Sequence, residues 1–357
     1  MPHLLVDLSC HGFGHIAQAA PVVNALAGRL PGLRVTLRSK APRNLLTQRF
    51  RCDFALIPQA FDFGMAMANA VTVQVEESAD AYRDFHRGWL DKVVREAEQL
   101  AALDTDLLLA DVPYLSLAAA AHAGVPAVAM CSLNWADIHA HYCSDRPEAP
   151  EIQQQIRDAY RSAVCFLKPR LCMPMPDLPN GREIGPIAHP GRNRRAEIDA
   201  GLDLTAEDRL VLIAMGGVAF RLPLENWQRI PGVRWVTQSS WQASHPDAVE
   251  LEALGMDFTD VLASCDALLT KPGYGSFAEA ACSGVPVLYL GRKDWPEEPF
   301  LVSWLERHGR CLEVDRAALE RGEIAAALAE LWAMPPMEPV RPEGIEQAAD
   351  FLQGLLR

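Results

Sequence analysis

Continuous apolar runs alternate with helical patterns along most of this chain. Such runs are typical of strands that are covered on both faces of a parallel sheet. In the first half the predicted strands are Leu4–Ser9, Arg34–Ser39, Phe54–Ile57, Asp106–Ala110 and Val125–Met130. The predicted helices between them include Ile16–Leu30, Glu77–Leu103 and Ser116–Ala123. This order predicts an α/β fold with parallel sheets.

The alternation stops in a proline-rich stretch, 168–191, and then starts again. Prolines and turn pairs such as Asn180-Gly181 predict a connection between domains there. The later predicted strands are Leu210–Met215, Val233–Thr237, Asp266–Thr270 and Val285–Leu290. Pro335-Pro336 ends this half, and an amphipathic helix follows over 343–356. We therefore predict one α/β domain over 1–185, a second over 186–335, and a terminal segment over 336–357 that packs back on the first domain.

Composition narrows the class of protein. The chain has 357 residues, of which 50% are hydrophobic and 22% charged, as expected for about two globular domains. Without an apolar run near ~20 residues or a basic start, we expect a cytoplasmic protein with at most peripheral membrane contact. The net charge of −13 argues against binding to nucleic acid. The nine cysteines fit reduced core residues, and no zinc-ligand spacing is complete, so no metal is expected.

A glycine-rich turn, Thr270–Glu279, separates two predicted strands and leads into a short helix. Backbone N–H groups and the helix dipole make such a turn an anion site. Glu279 could accept hydrogen bonds from sugar hydroxyls, so phosphate donors beside it suggest a nucleoside diphosphate with its ribose. The alternative is an ordinary turn with Glu279 as a solvated helix residue.

A second glycine turn, Gly12-Phe-Gly-His15, follows the first predicted strand. It lacks the Gly-x-Gly-x-x-Gly pattern of dinucleotide sites and places His15 on the first turn of a helix. The turn lies at the carboxyl end of the first predicted strand, which is where open α/β sheets bind ligands. The dipole at a helix N-terminus disfavours the positively charged imidazolium and so favours a neutral His15. His15 is therefore a candidate base; the alternative is a helix-capping or buried structural histidine.

The segment from Arg29 to Arg51 contains basic residues and no acidic one. Most of these side chains are expected on a solvated helix face. Lys40 and Arg43 follow a predicted strand, so they should lie at its carboxyl end.

With these residues in view, both halves resemble known families. The second half resembles the C-terminal domain of the peptidoglycan N-acetylglucosaminyltransferase family in Phe258–Asp266, Thr270–Glu279, Gly284–Leu288 and Glu298. The first half is similar to the glycosyltransferase-like domain of L-arabinokinases in Gly12–His15, Asp62–Gly64, Asp111–Pro113 and Asn134–Ile138. The resemblance implies a GT-B fold, with two Rossmann-like domains whose parallel sheets face a central cleft. Because no sugar-kinase half follows, the arabinokinase reaction itself is not implied.

The resemblance implies an inverting glycosyltransferase that uses a nucleotide-diphosphate sugar as co-substrate, with no metal or other cofactor. His15 would be the general base, oriented by Asp111, and the helix at Gly275 would stabilise the leaving diphosphate. The implied donor-binding residues are Gly216, Gly217, Met256, Phe258, Gly273, Tyr274, Gly275, Ser276, Glu279 and Glu298. The implied acceptor-binding residues are Gly12, Phe13, Gly14, Lys40, Arg43, Asn134 and Trp135.

Several alternatives stay open at this point. Phe13 stands where the peptidoglycan enzymes have an extra glycine, which weakens the case for a lipid-linked acceptor; the basic residues favour an anionic one. Asp111 could instead cap the helix near Tyr114, and the aromatic loop from Trp135 to His141 could pack on the core. The alternative functions are a nucleotide-sugar hydrolase or 2-epimerase, or a non-catalytic nucleotide-sugar-binding protein.

Overall fold

The computed structural model describes residues 1–11, 14–69, 71–216, 220–292 and 294–356. The chain divides into two compact units. The first consists of Met1–Ala68, Val73–Ile187 and Pro342–Arg357. The second consists of Asn69–Thr72 and Ala188–Arg341. Every helix among the described residues is too short or too polar to span a bilayer.

A parallel sheet forms the centre of the first unit. Up to residue 184 the elements are β1 (His3–Leu8), α1 (Gly14–Arg29), β2 (Arg34–Arg38), α2 (Arg43–Arg49), β3 (Ala55–Ile57), β4 (Met67–Asn69), β5 (Thr72–Val73), α3 (Val75–His86), α4 (Trp89–Ala102), β6 (Leu107–Asp111), α5 (Tyr114–Ala123), β7 (Ala127–Met130), α6 (Trp135–Cys143), α7 (Ala149–Ser162), β8 (Cys165–Pro169) and β9 (Gly181–Ile184). In the described residues the strand order is β3-β2-β1-β6-β7-β8-β9, with neighbours parallel. β1, β6 and β7 are buried along their whole length, which explains their apolar runs.

Two predictions for the first unit need correction. The helix predicted over Glu77–Leu103 is two helices, α3 and α4, because Gly88 between them has a left-handed φ of 67°. The predicted connection over 168–191 contains β9, which adds a parallel strand to the sheet. Asn180 fixes the turn before β9, since its Nδ2 donates to the carbonyls of Tyr160 and Ala163 at 2.9 and 3.0 Å.

The second unit has its own parallel sheet. Its helices and strands are α8 (Arg195–Leu202), β10 (Arg209–Ala214), β11 (Val233–Thr237), β12 (Ala248–Glu250), α9 (Phe258–Ser264), β13 (Ala267–Thr270), α10 (Tyr274–Ser283), β14 (Val287–Tyr289), α11 (Glu298–His308), β15 (Cys311–Glu313), α12 (Arg316–Arg321) and α13 (Ala325–Ala333). Within the described residues the strand order is β12-β11-β10-β13-β14-β15. Trp235 of β11 is fully buried in the core, with Trp227 edge-on at 5.2 Å.

The chain ends in helix α14 (Gly344–Leu355), which belongs to the first unit. Arg29 of α1 forms ion pairs with Glu346 and, at 2.7 Å, with Asp350. The backbone N–H of Gly344 donates to the carbonyl of Pro186 at 3.1 Å. A Cβ at Gly344 would stand 2.0 Å from the carbonyl oxygen of Gly185, so only glycine fits this contact.

Candidate active site

His15 and Asp111 form a buried pair at the carboxyl edge of the first sheet. Helix α1 begins at Gly14, directly after the turn that follows β1, and places His15 on its first turn with 5% exposure. Its Nδ1 lies 2.9 Å from Oδ1 of Asp111, the last residue of β6. β1 and β6 are neighbours, and Ser9 N–H donates to the carbonyl of Asp111 at 2.7 Å. The sheet register therefore brings together two residues that are far apart in the chain.

The chemistry of this pair follows from its burial. Asp111 has no exposed surface, and burial raises its pKa, while the hydrogen bond and charge of His15 oppose the shift. A carboxylate only accepts hydrogen bonds, so an ionised Asp111 requires the proton of His15 on Nδ1 and leaves Nε2 as the basic nitrogen. Helix α5 begins after Pro113 without a side-chain cap, so the alternative that Asp111 caps it is wrong.

The thiol of Cys131 completes a group of three potential metal ligands. Nitrogen, oxygen and sulfur atoms of His15, Asp111 and Cys131 all lie within 4.8 Å of one another. However, a metal bound at Nδ1 would need the position that the proton holds in the 2.9 Å hydrogen bond to Asp111. The arrangement found here is that of an imidazole held by a carboxylate.

Asp62 is a second buried carboxylate in this region. It accepts hydrogen bonds from the indole N–H of Trp135 at 2.8 Å and from the backbone N–H of Cys10 at 3.3 Å. Burial raises its pKa, and the charge of His15 is the largest of the effects that lower it. Asp62 thus connects the loop after β1 to Trp135, whose ring centroid lies 6.2 Å from that of His15. The sequence analysis names Asp62 only as part of the segment Asp62–Gly64 and gives it no role. An acidic residue in the loop between two short strands belongs to no hydrophobic period that would predict its burial.

Two predicted acceptor residues serve as internal supports. Trp135 is fully buried. Asn134 caps α6: its Oδ1 accepts from the backbone N–H of Asp137 at 2.9 Å, and its Nδ2 donates to the Asp137 carboxylate at 2.8 Å. Both side chains are therefore internal and do not face solvent. His139 also packs on the core, edge-on to Tyr82 at 4.6 Å.

The structure separates the two predicted basic residues. Lys40 follows β2 and is exposed. Burial and the charge of Asp62 raise the pKa of the Cys10 thiol to about 11, and the positive charge of Lys40 opposes this shift. The guanidinium of Arg43 lies over the ring of Phe54 at 5.5 Å. Phe54 precedes β3, so this contact draws Arg43 towards the amino end of that strand. Of the remaining predicted acceptor residues, Gly14 opens α1, and Gly12 and Phe13 lie outside the described residues.

The second unit carries the predicted phosphate-binding turn. Helix α10 begins at Tyr274 with Gly273 as its N-cap. Gly275 and Ser276 therefore belong to its first turn, where backbone N–H groups have no acceptor within the helix. The helix contains 10 residues, so its dipole adds positive potential at this end.

Glu279 lies on α10 and is only 3% exposed. The alternative that it is a solvated helix residue is therefore wrong. Burial and, to a smaller extent, the negative charge of Glu279 raise the pKa of the Cys282 thiol to about 12. A buried carboxylate one turn beyond a helix N-terminus has to be satisfied by polar partners.

A third segment reaches the same edge of the second sheet. Gly216 follows β10, which pairs with β13 so that Ala214 lies beside Thr270. Gly216 has a φ of 83°, and a Cβ there would lie 3.3 Å from Cε of Lys271. Its predicted companion, Gly217, lies outside the described residues.

Glu298 opens α11 and holds the loop that follows β14. Its Oε2 accepts from the backbone N–H of Arg292 at 2.6 Å, and the Arg292 guanidinium lies over Trp295 at 4.3 Å. A role for Glu298 in contacting the donor sugar stays a prediction. The same is true of Met256 and Phe258, which are half-buried before and at the start of α9.

The architecture defines the class: this is the GT-B fold of glycosyltransferases. Three solved structures that share it are CalG4, the calicheamicin glycosyltransferase (16% identity, TM-score 0.67, 100% of this chain and 98% of that one); the spinosyn rhamnosyltransferase SpnG complexed with thymidine diphosphate (17%, 0.60, 100% and 96%); and Phytolacca americana UGT2 complexed with UDP-2fluoro-glucose and pterostilbene (14%, 0.58, 100% and 94%). At these identities the likeness establishes the fold.

Among curated proteins, the L-arabinokinase of Arabidopsis thaliana is similar to this chain. The two are 26% identical over 351 residues, which is 96% of this chain and 33% of the arabinokinase. The chain therefore spans about a third of the length of this relative. No family model matches the chain.

Proposed function

We propose that this protein is an inverting glycosyltransferase that moves a sugar from a nucleoside diphosphate sugar to an acceptor hydroxyl. The observation that carries the proposal is the buried hydrogen bond between His15 and Asp111 at the carboxyl edge of a parallel sheet. The GT-B fold supports it, as do the nucleotide ligands named for two proteins that share the fold.

In the proposed reaction, Nε2 of His15 takes the proton of the acceptor hydroxyl while its oxygen attacks the anomeric carbon. The bond from that carbon to the diphosphate breaks, its electron pair leaves with the diphosphate, and the anomeric configuration inverts. Asp111 holds Nδ1–H and stabilises the imidazolium ion that forms. Backbone N–H groups at Gly275 and Ser276 stabilise the diphosphate, and Glu279 accepts hydrogen bonds from the ribose. The proposal requires no metal.

A thermal-shift panel tests nucleotide binding, using UDP, GDP, TDP, ADP and CDP with a chelator present. A matching diphosphate at a hundredfold excess over its Kd should stabilise the protein by about 2.7 kcal/mol, or roughly 5–11 °C. Its monophosphate should shift the Tm less. Glu279→Ala should reduce the shift, since charge-assisted hydrogen bonds are worth about 1.5–3 kcal/mol. The exposed Glu330, in the same unit, provides the matched control Glu330→Ala.

Turnover then distinguishes the alternatives. Nucleotide sugars are incubated with and without cell extract, and released nucleotide is measured. Release that depends on extract supports the transferase. Consumption of the donor without any acceptor indicates a hydrolase or epimerase, and binding without turnover indicates a non-catalytic protein. The proposal fails if none of the five diphosphates shifts the Tm.

A further inference from the structure

Lys271 is the first residue after β13, and its side chain runs along the glycine turns of the second unit. Its Nζ lies 3.5 Å from where a Cβ at Gly216 would stand and 3.9 Å from where one at Gly273 would stand. The absence of side chains at these two glycines leaves the amine next to both turns. Gly273 is the N-cap of α10, so the amine is also close to the first-turn N–H groups.

The surroundings of this amine are unfavourable for a positive charge. Burial is the main effect that lowers the Lys271 pKa, to about 7, and the nearby Arg292 lowers it further. Glu297 and Glu298 oppose the shift. Glu298 is held by the backbone N–H of Arg292 at 2.6 Å, and within the described residues no salt bridge joins either carboxylate to Lys271. In the part of the chain that the structure describes, a protonated Lys271 therefore has no carboxylate in a salt bridge with it.

An anion would supply a counterion. The N–H groups at the start of α10 and the Lys271 amine both favour negative charge at the same place. We propose that Lys271 is the cationic contact of a nucleotide's diphosphate and that its amine gains a proton when the diphosphate binds. This rests on the proposed function, because that function places a diphosphate at α10.

A definite pH dependence follows. Because the bound diphosphate raises the pKa of Lys271, nucleotide binding is strongest below pH 7, where the amine is already protonated before binding. The affinity falls as the pH rises from the pKa of the free protein to the higher pKa of the complex, because each binding event must then take up a proton. The limiting slope is about tenfold in Kd per pH unit, for uptake of one proton. At pH 8 a group with a pKa of about 7 is about nine-tenths neutral, whereas a terminal phosphate, with its second pKa of about 6, is already ionised. Proton uptake at pH 8 therefore measures protonation of the protein, because the nucleotide's phosphate is ionised both before and after binding.

Isothermal titration calorimetry at pH 8, in two buffers of different ionisation enthalpy, measures this uptake. The probes are UDP, GDP, TDP, ADP and CDP, and the tightest of them is studied further. We expect uptake of roughly half to one proton per nucleotide. Lys271→Met should abolish it and weaken binding roughly 10- to 100-fold at pH 7. Lys271→Arg, which is always charged, should bind without uptake and keep its Kd between pH 7 and 9.

Lys168→Met is the matched control, because Lys168 of β8 donates to the carbonyl of Pro174 at 3.1 Å and lies in the first unit. It should keep the wild-type Kd and proton uptake. Nucleotide binding by the wild type without any dependence on the buffer overturns the inference while leaving the proposed function intact. So does wild-type affinity in Lys271→Met. Failure of all five diphosphates to bind overturns both.

Discussion

The His15–Asp111 pair makes the sharpest prediction about catalysis. His15→Ala removes the proposed base, so turnover should fall roughly 10²–10⁴-fold, or about 2.7–5.5 kcal/mol in activation free energy. Donor affinity should change little, since the proposed donor residues, at Gly273–Glu279, belong to a different unit of the chain.

Asp111→Asn replaces the charge that holds Nδ1–H at 2.9 Å. A charge-assisted hydrogen bond is worth about 1.5–3 kcal/mol, so we expect a smaller loss of turnover, roughly 10–150-fold. Asp111 acts through His15, so its replacement should cost nothing further once His15 is absent. The double variant should therefore be about as active as His15→Ala alone.

The assay is the initial rate of nucleotide release with donor and acceptor present, and the Kd of the nucleoside diphosphate is measured separately. His122→Ala is the control, because His122 is an exposed imidazole on α5. Turnover close to wild type in His15→Ala would return this histidine to a structural role. Losses that multiply in the double variant would show that the two residues do not act as a unit.

Two further predictions concern charge and pH. Lys40→Glu should raise the KM of an anionic acceptor, an effect that added salt should mimic, whereas Arg43→Glu should not, because Arg43 lies over Phe54; equal effects would contradict this assignment. Burial lowers the pKa of His86 and of His139 to about 4, so the unfolded chain binds more protons below pH 6.5, and each histidine should cost about 2 kcal/mol of unfolding free energy between pH 7 and 5. Urea unfolding at both pH values should show this loss, and it should shrink in His139→Phe but not in His122→Ala.

The strands that position both sites could be predicted because strands buried on both faces consist of consecutive, mostly apolar residues. A central parallel strand is covered on both faces, so β1, β6, β10 and β13 are mostly apolar. The rule that such sheets bind ligands at their carboxyl edge then directs attention to the turns after these strands. This rule points to His15 and to the turn at Gly273.

Other features depend on contacts that no local pattern contains. A single glycine is usually tolerated inside a long helix; Gly88 separates α3 from α4 because its φ is left-handed. The direction of Arg43 depends on Phe54, an aromatic residue before an edge strand. The burial of Glu279 depends on how α10 packs, and helical periodicity left both alternatives open.

Lys271 shows the difference most clearly. It lies within the segment Thr270–Glu279, where a lysine beside a phosphate-binding turn would be expected to carry a permanent positive charge. Its pKa is instead lowered mainly by burial and then by the charge of Arg292, while the charges of Glu297 and Glu298 oppose the shift. Gly216, far back in the chain, leaves the space that the amine occupies. A motif can therefore indicate which ligand a turn receives, whereas the protonation state in which the turn meets that ligand is a property of the folded neighbourhood.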